Sequence, residues 1–390
     1  MSLLKNIKIL DLTRFVAGPH CTSILSDLGA EVVKVEKCNK GDDLRIIGPK
    51  LEGVSLWSAV LNRGKKSLSL NLKKKEGLEI LHKLLKTSDI LVENFRPGVM
   101  EGLNLSWNEI SNINSKIIMA RISGYGYQSN TNARQAFDAT VQAETGLMNI
   151  SGDIKNKPTM IGTVLLDYTT GLNLAIGILA ALYNREQSGK GELIEATLAG
   201  SALSISMAAV PNFFLNKEDF GKMGNSDRYS SPSNTYRAKD GFIHIMAGSD
   251  DRFKALLMAM KKPNIFKNPM YKDTKKRIKN QDKLDKIVEE WTKSKNIAYL
   301  GKILQKFSVP WGKVRSFSEF LQTKEAKQYL RKADIKNKKI TVPKLSINLP
   351  RKKVTFKKKV PKLGQDNKEI LKNLGFNTKK IDVLKKNKII

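Results

Sequence analysis

The feature that most restricts this chain is an alternation that runs through its first half. Short apolar runs with strand character take turns with segments of helical spacing. Residues 7–12 read as a strand, and Pro19 suits the first turn of a helix that runs to about Leu28, where Gly29 closes it. Residues 31–36 and 67–72 read as strands, 76–86 as a helix, and 89–93 and 116–123 as strands again. A strand followed by a helix cannot pair with the next strand as a tight hairpin. It must cross over and return parallel. The pattern therefore predicts an α/β fold of βαβ units with a Rossmann-like, mainly parallel sheet.

Residues 169–185 read as one long helix, followed by a strand over 192–196. Leu172, Ala175, Ile176, Leu179, Leu182 and Tyr183 recur at helical spacing. Leu174, Ile178 and Ala181 make the other faces apolar, which predicts a helix buried all round. Ser188-Gly189-Lys190-Gly191 ends it. Past Pro211 the alternation stops. A polar stretch over 216–232 precedes two strand-like runs, 234–239 and 242–247, which flank Asp240-Gly241 and predict a type I′ hairpin turn. Amphipathic helices follow, one carrying Phe253, Leu256, Leu257 and Met260, another Leu284, Ile287, Val288 and Trp291. The expected organisation is a large α/β domain over 1–210, a linking loop at the active site over 211–224, a smaller α+β domain over 225–330, and a return to the large domain over 331–390.

Net charge is +32, from 69 Lys and Arg against 37 Asp and Glu. Such a field attracts polyanions: nucleic acid, acidic lipid or phosphorylated cofactors. The lysines are spread along the chain without interleaved aromatics or a nucleic-acid motif, so the charge alone does not assign a nucleic acid partner. Cys21 and Cys38 are the only cysteines, too few for a disulfide framework, and with three histidines they form no zinc pattern. The most apolar stretches, 172–183 and 196–210, fall short of the about 20 residues of a membrane span. Asp11 interrupts any secretory core near the start. A cytoplasmic protein without a membrane partner is expected.

Three segments have the chemistry of a site. Ala17-Gly18-Pro19 lies between a strand and a helix, where small residues let an anion approach backbone N–H groups, although G-x-G-x-x-G is absent. Asn94-Phe95-Arg96-Pro97-Gly98 follows a buried strand, at the edge where open parallel sheets bind ligands, and Phe95 could stack on a base. Asp167 follows an apolar run and precedes the long helix. From these residues alone it reads first as a helix N-cap, and second as a carboxylate kept ionised, and so nucleophilic, by the helix dipole and free N–H groups.

Taken together and in this order, the segments resemble the family III CoA-transferases of the CaiB/BaiF type. The matching stretches are 9–19 (ILDLTRFVAGP), 27–36 (DLGAEVVKVE), 62–70 (NRGKKSLSL), 92–98 (VENFRPG), 122–126 (ISGYG), 162–171 (GTVLLDYTTG) and 178–191 (ILAALYNREQSGKG). The hairpin 236–245 and the stretch 363–367 (LGQDN) match as well. The resemblance implies an interlocked homodimer in which each chain threads through the other. It implies that Asp167 is the catalytic aspartate, and that Val16, Ala17, Asn94, Phe95, Arg96, Gly124 and Tyr125 contact CoA. Lys37, Leu70 and Lys73 fall where the family holds the nucleotide and its phosphates.

Coenzyme A would enter as a substrate, with a small carboxylic acid as its partner and no tightly bound cofactor. Residues 224–228 (GNSDR) hold one glycine where formyl-CoA-using members have a glycine-rich loop, which favours a dicarboxylate pair such as succinyl-CoA and its acceptor. The family also contains 2-methylacyl-CoA racemases, which place a histidine before the aspartate matching Asp138. Phe137 stands there and cannot move a proton. A racemase-like enzyme, a CoA-binding protein without turnover and a basic nucleic-acid-binding protein are the alternatives.

Overall fold

Six parallel strands organise the first part of the chain in the computed structural model, which describes residues 2–127, 134–351, 354 and 356–390. They are β1 (Lys8–Asp11), β2 (Glu31–Glu36), β3 (Lys66–Ser69), β4 (Ile90–Glu93), β5 (Ile118–Ser123) and β6 (Leu193–Thr197). Their order is β3-β2-β1-β4-β5-β6, with every neighbouring pair parallel. This is the order of doubly wound dinucleotide-binding sheets. The chain leaves β1 toward one edge and later resumes at β4 toward the other. The loops that follow β1 and β4 therefore diverge and open a crevice at the carboxyl edge. Leu10, Ile90, Leu91, Val92, Ile118, Met119 and Ala120 are all at most 1% exposed. Strands buried on both faces need such continuous apolar runs.

One core packs the sheet against α2 (Lys75–Leu85) and the two C-terminal helices Asn367–Asn373 and Thr378–Lys386, through Ile80, Leu81, Leu84, Ile370, Leu371, Ile381 and Leu384. Two further helices, α1 (Ala17–Asp27) and α4 (Leu165–Ser188), pack on each other, and the short α3 (Asp138–Glu144) packs on α4. Gly171 permits this approach, since a Cβ there would sit 2.6 Å from the Ala17 carbonyl oxygen.

The long helix starts four residues before the expected Thr169, so Asp167 lies inside its first turn and Val164 is the N-cap. It is also not buried all round. Leu174 and Ile178 are fully buried, while Ile176 is 64% and Tyr183 72% exposed. Leu172 and Leu179 extend this open stripe. The sheet, α1 and the helices Asp138–Glu144 and Leu198–Ser206 pack on the other sides of this cylinder, and these four side chains stay exposed. By length and composition this helix could cross a membrane, but here its inner face belongs to the protein core.

The chain divides into two units. Residues 1–145, 161–211 and 328–390 form one, and residues 146–160 and 212–327 the other. Residues 146–160, read from sequence with the large domain, thus belong to the second unit. The segment read as a loop over 211–224 begins inside a helix, Ala209–Asn216. The second unit is a three-stranded antiparallel sheet, with Gly241–Met246 between Ser233–Ala238 and Trp311–Lys313. Helices Asp250–Ala259, Gln281–Thr292 and Ile297–Lys306 cover it through Phe253, Leu256, Leu257, Leu284, Val288 and Leu300. The hairpin forms, but its turn is not type I′. Gly241 pairs with Ala238, which leaves Lys239 and Asp240 as the turn, and neither has positive φ. Gly241, at φ +144°, opens the return strand instead.

Candidate active site

The loop after β1 is set by buried charge. Asp11, fully buried, accepts hydrogen bonds from Thr13 N–H (2.9 Å), the Thr22 hydroxyl (2.7 Å) and Lys65 Nζ (3.0 Å). Lys34 Nζ donates to the Thr13 carbonyl (2.7 Å) and pairs with Asp42 (3.0 Å). Asp42 in turn accepts from Phe15 N–H (3.1 Å). Burial alone would raise the Asp11 carboxyl, but Lys34 and Lys65 outweigh it and hold it well below the usual range. Burial pulls Lys65 down to about 8. This network holds Phe15 at φ +59°, a left-handed conformation that costs a bulky residue about 1–3 kcal/mol. The Phe15 ring meets Phe137 edge-on at 5.6 Å.

The loop after β4 is tied to the loop after β1. Asn94 Oδ1 accepts from Arg14 N–H and Asn94 Nδ2 donates to the Arg14 carbonyl, both at 2.8 Å. Asn94 is thus a clasp between two loops, where the resemblance implied only a ligand contact. Beneath it, the buried Glu93 accepts from Phe95 N–H (2.7 Å) and the Tyr127 hydroxyl (2.8 Å), and burial pushes its carboxyl up to about 7.

Two adjoining cavities open over these loops. The first, about 590 Å³, is lined by Val16, Ala17, Asn94, Phe95, Arg96, Gly124, Tyr125 and Asp167, together with Arg14, Lys37 and Phe137. The second, about 850 Å³, has an apolar lining that includes Leu12, Val35, Leu70, Leu72, Phe95 and Leu103. Arg14, Lys37, Lys40, Lys73, Lys74 and Lys388 supply its cations. Arg14, Lys37, Phe95 and Val99 line both cavities. The residues singled out from sequence thus come together on the walls of two adjoining cavities. Sequence reasoning did not single out Arg14, Lys40 or Lys388. Arg14 lay inside the matching stretch 9–19. Lys388 had no sequence signal: it arrives because Asn71 N–H (2.8 Å) and the Cys38 thiol hold the carbonyl of Ile389.

Glu36 ends β2, where dinucleotide-binding sheets present an acid to a ribose. Here its carboxylate grips Arg45 with two contacts of 2.6 Å and also accepts from the Ser67 hydroxyl (2.7 Å) and Asp42 N–H (3.0 Å). Tyr125 and Gly124 have partners as well. The Tyr125 hydroxyl donates to Glu144, and the Gly124 carbonyl accepts from Ala199 N–H (3.0 Å).

Asp167 differs from all of these. Among the described residues nothing donates to its carboxylate, which faces the first cavity. The orphan N–H groups of the helix start are taken by Asp138, whose Oδ2 accepts from Leu166 N–H (2.7 Å) and Asp167 N–H (3.1 Å). Asp167 is therefore not the cap. The expected stabilisation of its anion is reversed: burial, then the charge of Asp138, raises it to about 7.

Residues 4–367 match the sequence profile of CoA-transferase family III. A succinyl-CoA:glutarate CoA-transferase of Homo sapiens is 30% identical over 375 residues, covering 95% of this chain and 86% of its own length. A succinyl-CoA–D-citramalate CoA-transferase of Chloroflexus aurantiacus is 32% identical and covers 82% of this chain and 80% of its own. An acetyl-CoA:oxalate CoA-transferase of Acetobacter aceti is 34% identical, with 80% of each chain covered. Among solved structures, a CaiB/BaiF family protein from Brucella suis superposes with a TM-score of 0.85 at 28% identity, covering 96% of this chain and 99% of its own.

Proposed function

Since this chain belongs to CoA-transferase family III, we propose that it carries CoA from succinyl-CoA, or another dicarboxylyl-CoA, to an acceptor dicarboxylate through a covalent intermediate on Asp167. It is an acyl-CoA:carboxylate CoA-transferase; the donor, the acceptor and the intermediate make up the proposal. The observation that carries it is the Asp167 carboxylate, which accepts no hydrogen bond from the described residues, in a cavity that adjoins a second, cation-lined one. The adenine and ribose fit the apolar lining of the larger cavity. The phosphates meet Lys37, Lys73 and their neighbours, where a cation is worth most to a phosphate. The thioester then reaches the smaller cavity.

The chemistry balances without a redox partner. An Asp167 oxygen attacks the donor thioester carbon, the C–S bond breaks, and CoA leaves as thiolate from a mixed anhydride. The thiolate attacks Cγ of Asp167 and releases the donor acid as its carboxylate, leaving an aspartyl-CoA thioester. The acceptor carboxylate attacks the same Cγ and again expels CoA thiolate. The thiolate attacks the acceptor's acyl carbon, which gives the new acyl-CoA and restores the Asp167 carboxylate. Each step is an acyl transfer between oxygen and sulfur, which is how covalent catalysis divides one hard exchange.

The racemase reading is disfavoured: Phe137 offers no proton, and both oxygens of Asp138 are occupied by hydrogen bonds. The open stripe Leu172, Ile176, Leu179 and Tyr183 fits a homodimer, the interlocked form included. We read α4 as a core helix of a cytoplasmic protein rather than a membrane span, and the cavity cations as serving CoA phosphates rather than nucleic acid. The test is exchange of labelled dicarboxylates with succinyl-CoA. Asp167→Asn should lose at least about 10³-fold in kcat while still binding CoA. Near-normal exchange in that variant would refute the assignment.

A further inference from the structure

Two side chains outside the matched motif are built around the start of α4. Asp138 opens the helix Asp138–Glu144 and is 6% exposed; Gln142, one turn on, is fully buried. Gln142 Nε2 donates to Asp138 Oδ1, and Gln142 Oε1 accepts from Ile161 N–H (3.0 Å). Asp138 Oδ2 holds the N–H groups of Leu166 and Asp167. Together they grip both ends of the strap 161–167 that delivers Asp167 to the cavity.

A helix start normally finds its acceptor in the N-cap side chain. Val164 has none to give, and a first-turn carboxylate such as Asp167 would be drawn onto those N–H groups itself. That would neutralise it as a nucleophile. We propose that Asp138, backed by Gln142, is a positioning residue for the transfer: it occupies the helix-start N–H groups so that the Asp167 carboxylate stays unbonded, aimed into the cavity and more reactive. The inference rests on reading Asp167 as the nucleophile.

The electrostatics support the geometry. A second carboxylate close by, added to burial, raises the proton affinity of Asp167, and a more basic carboxylate is the better nucleophile. The other groups on this side do not cancel that effect. On its own helix, Tyr168 is pushed upward by burial and by Asp167 and stays neutral. His20 on α1 stacks on Tyr168 at 4.3 Å, and burial drives it down to about 4, so it too is neutral near pH 7. The cations Arg14, Lys37, Arg96 and Arg134 line the same cavity, yet none bonds the Asp167 carboxylate.

The test uses the full-length enzyme with succinyl-CoA and its best dicarboxylate acceptor. Asp138→Asn and Asp138→Ser both keep an oxygen acceptor for the strap but remove the charge. If either fails to fold, the other serves. The expected result is a fall in kcat of about 10- to 100-fold with KM for the CoA donor changed less than about threefold. The acid limb of kcat/KM should also move to lower pH by about half a unit or more. Gln142→Leu, which loosens the strap but keeps the charge, should lower kcat without moving that limb. Unchanged kcat in the Asp138 variants, or a loss with the acid limb fixed, would overturn the proposal. Neither result touches the nucleophile assignment, which is judged separately by Asp167→Asn and by labelling of residue 167.

Discussion

The two adjoining cavities are both lined by cations, yet they treat their carboxylates in opposite ways. The larger one is rich in charge. Cations line it, and beside it Lys34, Lys65, Asp11 and Asp42 form a buried network that shapes the loop after β1. At the smaller one, no described residue donates a hydrogen bond to the Asp167 carboxylate, and burial makes that anion costly. The first plan suits a ligand whose charge never changes during the reaction, such as a nucleotide phosphate. The second suits a group that must react, because every hydrogen bond to a nucleophile has to be weakened before it can attack. On the proposed function, the division keeps binding and chemistry apart: loops at the switch point would bind, and the first turn of a helix would react.

That contrast can be broken most strongly at Lys34. Replacing it with Met leaves Asp42 and the Thr13 carbonyl without their buried partner, which should cost about 3–5 kcal/mol of stability. Thermal unfolding should fall sharply, and CoA affinity with it. A variant with wild-type melting would show that the network is not what shapes the loop. Substitution of Asp167, by contrast, should leave folding intact.

A smaller effect sharpens the charge-rich end. Lys37→Ala and Lys73→Ala should each weaken CoA binding by about 10-fold if the lysine meets a phosphate. For whichever lysine meets the 3′-phosphate, the loss should be greater for CoA than for 3′-dephospho-CoA, as read by calorimetry. Equal losses for both ligands would move that contact to the pyrophosphate.

A pH dependence tests the other end. Folding raises the Asp167 carboxyl from 3.8 to about 7, by burial first and then by Asp138. The folded chain thus holds this proton more tightly than the unfolded one. The stabilisation is complete below about pH 4 and is lost as pH rises through about 7. Asp167→Asn lacks this dependence, so its melting temperature should gain on the wild type between pH 5 and 8. A difference that does not change with pH would mean that the carboxyl is not perturbed.

Much of this was legible in the chain itself. The parallel strands could be read because burial on both faces demands continuous apolar runs, and the crevice followed from the loops that end β1 and β4. The place of Asp167 was legible too, but not its state. Its supposed role as a cap goes to Asp138, 29 residues earlier, and no local pattern announces an acceptor that arrives through space. The open stripe on α4 was hidden for a related reason: apolar residues on every face say that a helix seeks cover, not which sides one chain can cover. Lys388 escaped because the C-terminus reaches the cavity only through tertiary contacts at Ile389. The hairpin was correct and its turn wrong, because a shift of pairing moved Gly241 from the turn into the strand.

The central claim, that Asp167 is acylated in turnover, is open to direct measurement. Enzyme mixed with succinyl-CoA and acceptor acid is quenched with hydroxylamine, digested and mapped by mass spectrometry. An aspartyl thioester or anhydride predicts a hydroxamate at residue 167, formed only when acyl-CoA is present and absent from Asp167→Asn. Active enzyme that never carries the label at residue 167 would contradict the account.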